Sequence, residues 1–239
     1  MRRFYRAVCN PKGLVKFRVT IEESDLLIIA EKNLKKEVTE ELKKQREILK
    51  EFIRENPEFY YTFSPLKINS EKEIIRLMSE SSLLTKTGPM ASVAGAVAEM
   101  IGKKLLLYSS EVIVENGGDI FLKMNREATV GIYAGNSPFS MKIGIKIPPS
   151  ETPVGIATSS GKIGHSFSYG KADSVTVISS SSTFSDGAAT YFGNIVKEPS
   201  DFKRVKEELL NFPFIRGILV IVGKELFVWG NIELVSLQD

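Results

Sequence analysis

Residues 154–190 read VGIATSSGKIGHSFSYGKADSVTVISSSSTFSDGAAT, a stretch crowded with glycine, serine, threonine and alanine. Side chains this small bury little apolar area for their number, so the segment is a poor source of core. It is a good means of bringing backbone close to a ligand. It also carries the chain's single histidine, His165, and an Asp-x-x-x-Thr pair, Asp186 and Thr190. Any imidazole acid–base chemistry in this chain therefore falls to His165.

A chain of 239 residues with 43% apolar content supports one sizeable core. The 32 basic and 29 acidic residues leave a net charge of +3, which gives no electrostatic footprint for nucleic acid. Apolar runs such as LLIIA and ILVIV are far too short to span a bilayer, so no membrane partner is expected. The opening MRRFYRAVCNPKG has basic residues without the apolar run of a signal peptide. One cysteine, Cys9, rules out an internal disulfide and a multi-cysteine metal site. These features together predict a cytoplasmic location.

Along the chain, Phe4–Val8, Leu14–Ile21 and Leu26–Ala30 read as strands of a small antiparallel sheet. A long helix is predicted over Leu34–Glu55, with Leu34, Val38, Leu42, Leu49, Phe52 and Ile53 as its apolar stripe, ended by Asn56-Pro57. Residues 58–69 read as a loop. A helix follows over Glu71–Leu83, and another from about Pro89, apolar or small nearly all round and therefore buried. Strands are predicted at Glu111–Glu115, Asp119–Lys123, Thr129–Ala134, Lys142–Ile147, Val154–Ala157 and Ser174–Ser179. A helix should start near Ser185 and another span Asp201–Leu210. The hairpin Gly217–Val222 with Glu225–Trp229 closes the chain. This mixed order favours an α+β fold of two packed lobes with largely antiparallel sheets.

Four segments can carry chemistry. In Ser185-Asp186-Gly187-Ala188-Ala189-Thr190, helical spacing puts Asp186 and Thr190 on one face, where a carboxylate and a hydroxyl suit Mg²⁺; the plainer reading is that Ser185 or Asp186 caps the helix. In Asn116-Gly117-Gly118-Asp119, the glycines either offer bare N–H groups or room for a flat ring, or simply turn a hairpin. Gly88-Pro89 starts a helix whose first N–H groups suit an anion. The loop Ala157-Thr158-Ser159-Ser160-Gly161, with Gly164-His165-Ser166 beyond it, places His165 among small residues rather than on an apolar stripe, as a base or as a phosphate contact.

The order of these motifs, GPMASVAGAVAE, VENGGDIFL, GIATSS, GHSFSYGKADSVTV and SDGAAT, resembles the ApbE superfamily, the FAD-dependent flavin transferases, over about Gly88–Gly193. It is most similar to a short branch found in archaea and anaerobic bacteria. The resemblance implies a single ApbE-like domain over 1–239, with an N-terminal sheet and long helix (1–70), a ligand-cleft core (85–195) and a C-terminal helix and hairpin (200–239). It implies FAD in a cleft between the lobes beside Mg²⁺, and transfer of FMN to a threonine of an acceptor protein. Asp186, Thr190 and the backbone carbonyl of Ala91 match the metal ligands. Gly117, Gly118 and Asp119 match the flavin-site turn, and Ala157, Thr158, Ser159, Ser160 and Lys171 fall in the cofactor-binding segments. His165 matches the histidine beside the phosphate and the incoming hydroxyl. Two departures are visible: Ser166-Phe167-Ser168-Tyr169 stands where the transferases carry an acidic residue, and Ala91-Ser92 stands where they carry Lys-Gly. Other readings are an auxiliary factor in anaerobic sulfur assimilation and homocysteine formation that binds a small ligand without transfer, and a non-enzymatic homo-oligomer with a vestigial cleft.

Overall fold

A computed structural model of the chain describes residues 13–161 and 170–238. Phe4–Val8, Cys9 and His165 lie outside the described residues.

Strands β1 (Val15–Ile21) and β2 (Ser24–Ala30) form a hairpin, with Val15 opposite Ala30 and Ile21 opposite Ser24. Helix α1 (Lys35–Glu55) keeps the predicted stripe, burying Val38, Leu42 and Leu49. The predicted loop after it begins with a short helix, α2 (Glu58–Tyr61). Phe59 drives that turn: it is fully buried, edge-on to Phe52 at 5.1 Å. Helix α3 (Glu73–Thr85), a 3-10 turn over Pro89–Ser92 and helix α4 (Val93–Leu105) follow. Next come β3 (Val112–Asn116), β4 (Asp119–Lys123), β5 (Ala128–Gly131), β6 (Ile143–Ile147), β7 (Val154–Ser159) and β8 (Ser174–Ser179). Helices α5 (Ser182–Ile195) and α6 (Phe202–Glu208) lead to β9 (Ile215–Val222), β10 (Glu225–Gly230) and β11 (Glu233–Ser236).

One eight-stranded sheet runs β1-β2-β3-β4-β7-β8-β9-β10, antiparallel at every step. A three-stranded sheet, β11-β6-β5, forms a second layer. Strand β9 shows why the large sheet is apolar on both sides. Its Ile218 and Val220 join Ala188 and Phe192 of α5, while Leu219 and Ile221 join Ile145 and Ile147 of the small sheet. A strand covered on both faces reads as a continuous apolar run, here ILVIV.

The α+β architecture is as expected, and the two lobes share this one sheet. The first lobe packs α1, α3 and α4 over β1–β3 around Val38, Leu42, Ile75 and Ile101. The second packs α5 and α6 over β8 and β9 around Val177, Phe192 and Phe212. The lobes meet along α4 and α5. Among the described residues no helix is long and apolar enough to cross a membrane.

Candidate functional site

Helix α5 begins three residues earlier than predicted. Ser181 caps it, its hydroxyl accepting from the Phe184 N–H at 3.3 Å. The first turn is therefore Ser182-Thr183-Phe184, and neither Ser185 nor Asp186 caps the helix. The run of serines obscures the start because every member is a good cap by type. Each of the others has a different task. The Ser185 hydroxyl donates to the Gly155 carbonyl at 3.0 Å and meets Ser179 Oγ at 2.8 Å. The Ser182 hydroxyl donates to the Gly95 carbonyl at 2.9 Å. These hydroxyls satisfy carbonyls in a crowded interior, where an unpaired polar group would be costly.

Helices α4 and α5 run antiparallel, and their close approach depends on glycine. A Cβ on Gly95 would lie 2.2 Å from the Ser182 carbonyl oxygen and 2.8 Å from the Asp186 Cβ. Each helix then lends a carboxylate to the other's N-terminus. Asp186 of α5 accepts from the Gly95 N–H at 2.8 Å and also from the Ala94 N–H, both in the first turn of α4. Glu99 of α4 accepts from the Thr183 N–H at 3.2 Å, the Thr183 hydroxyl at 2.9 Å and the Ser181 hydroxyl at 2.5 Å. Carboxylates are favourable at both places because the first N–H groups of a helix lack partners inside it. Sequence reading missed Glu99. Its only signal was an acid on an otherwise apolar helix.

One turn further along the pair, Thr190 Oγ1 donates to the Ala91 carbonyl at 3.4 Å. Asp186 and Thr190, paired by helical spacing, and the Ala91 oxygen, added by resemblance, thus lie on adjacent turns of the same helix seam. The hairpin β3–β4 joins them. Asn116 Nδ2 donates to the Ala94 carbonyl at 3.0 Å, tying the turn to the start of α4. Gly117 and Gly118 turn it with φ of 75° and 113°, values that favour glycine. The Gly118 N–H is already given to Glu115 Oε1 at 2.9 Å, so what Gly118 offers a ligand is the absence of a side chain. Among the described residues, a Cβ there would meet only the Thr158 carbonyl, at 3.5 Å. Asp119 is buried, opposite Asn116 in the β3–β4 register.

Ala157 is buried at the end of β7, and Thr158, Ser159 and Ser160 are half-buried. Thr158 Oγ1 meets Thr176 Oγ1 of β8 at 3.0 Å. Lys171 is exposed; its N–H donates to the Val196 carbonyl just past α5 at 2.9 Å, and its neighbour Ala172 accepts from the Gly161 N–H at 3.1 Å, which sets Lys171 beside the end of the 157–161 segment. A separate open groove of about 310 Å³, lined by Lys67, Asn69, Arg76 and Glu80 among others, shares no residue with this site.

The donor set fits a small hard cation. Burial pushes the Asp186 carboxyl up to about 7, against the two N–H bonds that pull it down. Such a carboxylate gains from a nearby positive charge. Asp186, a hydroxyl and a carbonyl are all oxygen donors, and Mg²⁺ is commonly held by one or two carboxylates while keeping several waters. Among the described residues no cluster of three or more His, Cys, Asp and Glu is placed to hold a metal.

Gly95→Ala is expected to destabilise the protein by about 1–3 kcal/mol through overpacking, although alanine is the better helix former by about 1 kcal/mol. Thermal unfolding checks the sign. A stabilised variant would show that the helices do not touch as described.

Comparison with known proteins follows the same lines. A family profile described as AbpE bacteria matches residues 6–211. A UPF0280 protein of Methanothermobacter thermautotrophicus is 38% identical over 200 residues, covering 82% of this chain and 78% of its own. One from Methanocaldococcus jannaschii is 36% identical over 229 residues, covering 92% and 93%. Among solved structures, the flavin transferase ApbE from Vibrio cholerae superposes with a TM-score of 0.57 at 14% identity, covering 92% of this chain and 97% of that one. At that identity the likeness is one of fold.

Proposed function

The chain belongs to the family described as AbpE bacteria, alongside the UPF0280 proteins, and from that premise we propose that it binds FAD with Mg²⁺ and cleaves the FAD pyrophosphate, passing FMN to an acceptor hydroxyl or to water. The observation that carries this reading is the α4–α5 seam, which gathers Asp186, Thr190 and the Ala91 carbonyl beside the Gly117-Gly118 turn. Asp186, Thr190 and the Ala91 oxygen would hold the cation. Mg²⁺ supplies charge neutralisation for the pyrophosphate when bound.

The rest of the work falls to the chain's own groups. The Gly117-Gly118 turn and the strand end Ala157–Ser160 would present bare backbone and small side chains to a flat ring. In the chemical step the acceptor oxygen attacks the FMN phosphorus, the bond to the AMP oxygen breaks, and an imidazole nitrogen of His165 takes the hydroxyl proton. His165 enters on sequence grounds, as the only imidazole in the chain. Lys171, beside the Gly161 end of the 157–161 segment, would add positive charge near the phosphates.

A second reading has its own support: Asp186 already caps α4 through two N–H bonds, a purely structural task. A carboxylate has about four lone-pair sites, so capping and cation binding are compatible. Chromatography of wild-type protein incubated with FAD separates the two readings. Mg²⁺-dependent appearance of AMP is expected. Bound FAD that never yields AMP, with or without Mg²⁺, would overturn the cleavage reaction.

A further inference from the structure

We propose that Glu99 is the positioning residue of this site: by clamping the N-terminus of α5 to α4 it sets the register that brings Asp186 and Thr190 to the Ala91 carbonyl. The inference rests on the reading of those three groups as cation ligands. Glu99 touches none of them. It acts through the helix pair.

Glu99 is buried, and its Oε2 receives the Ser181 hydroxyl, the Thr183 hydroxyl and the Thr183 N–H. Its other oxygen faces Lys103 Nζ at 2.9 Å, and Lys103 reaches on to Glu73 of α3 at 3.1 Å. Ser181 alone would cap α5. A carboxylate from the neighbouring helix adds a bond between helices at that end. The Asp186 clamp on Gly95 makes the second such bond, in the opposite sense.

From Gly95 to Glu99 is about 6 Å along α4, and from Thr183 to Asp186 about 4.5 Å along α5. Two clamps about one turn apart, facing opposite ways, oppose both sliding and rotation of one helix on the other. The Thr190–Ala91 contact lies one more turn along and has only a 3.4 Å hydrogen bond of its own, so its spacing is inherited from the clamps. Mg²⁺ needs near-octahedral oxygen ligands at about 2.0–2.1 Å, whereas Ca²⁺ accepts about 2.3–2.6 Å in looser arrays. A loosened register therefore penalises Mg²⁺ more than Ca²⁺.

The test uses full-length Glu99→Gln and, as a milder variant that leaves the carboxylate in place, Lys103→Met. Calorimetric titration well below the unfolding temperature should show Mg²⁺ affinity lowered by about 10-fold or more in Glu99→Gln, the scale of outer-sphere losses at metal sites. Ca²⁺ affinity should change little. Lys103→Met should move in the same direction by less. Amide hydrogen exchange supplies a readout that needs no metal. In the metal-free protein, Glu99→Gln should speed exchange at Gly95, which Glu99 does not touch, and Asp186→Ala, which removes the acceptor of the Gly95 N–H, should speed exchange at Thr183. Changes confined to Thr183 in Glu99→Gln, with Gly95 unchanged, would overturn the inference whatever the wild type binds. Coupled amides in a protein that binds no Mg²⁺ would support the clamp and overturn the cation reading instead.

Discussion

Asp186→Asn is expected to abolish the Mg²⁺ dependence of FAD binding while leaving a folded protein that is no less stable than wild type at pH 8 without metal. Burial raises the carboxyl from an ordinary 3.8 to about 7 in the folded chain. The folded state thus holds this proton over a range in which the unfolded state has released it. As pH rises from about 4 to about 7 this group contributes a growing penalty to the metal-free fold, complete above about 7. Asparagine carries no charge and so removes the penalty. Its side-chain oxygen still accepts N–H bonds at the start of α4. A cation at the site reverses the balance by favouring the ionised form. Mg²⁺ should therefore raise the wild-type melting temperature more at pH 8 than at pH 5, and leave that of Asp186→Asn unchanged at both. Melting curves with Mg²⁺ and with EDTA at the two pH values check this. An equal response to Mg²⁺ in wild type and variant would reduce Asp186 to a cap for α4.

His165→Ala is expected to slow AMP release from bound FAD by roughly 10²–10⁴-fold, the usual worth of a positioned general base. FAD affinity should change little. The expectation comes from the sequence, in which no second imidazole exists. Single-turnover assays on preformed complex separate the roles. Lost affinity with intact turnover would make His165 a phosphate contact. A lowered melting temperature with both functions declining together would make it structural.

The long helix, the small-residue helix and most strands were legible because their patterns are local. Val38, Leu42 and Leu49 repeat at helical spacing, and β4 and β8 fall where the turn residues bound them. Strand β11 was missed because four residues after a glycine turn carry little periodicity, and its partner β6 is far away in sequence, with Ser236 opposite Ile143. The start of α5 was misplaced because four consecutive serines each fit a cap, and the one that caps, Ser181, also donates to Glu99 of another helix, a partner no local pattern announces. The antiparallel α4–α5 contact could not be read at all. It depends on Gly95 meeting α5 backbone, and small residues signal close approach without naming the partner. Resemblance named Ala91, Asp186 and Thr190 together, and packing explains how residues nearly a hundred positions apart come to share one seam.

The most direct test of the account is a calorimetric titration of wild-type protein with FAD, in Mg²⁺ and in EDTA. The pyrophosphate brings negative charge to a site whose nearest described ligand is itself a carboxylate, so binding needs the cation to offset it. Markedly tighter binding in Mg²⁺ than in EDTA is the predicted result. Equal affinity in both, or no binding heat in either at millimolar FAD, would contradict it.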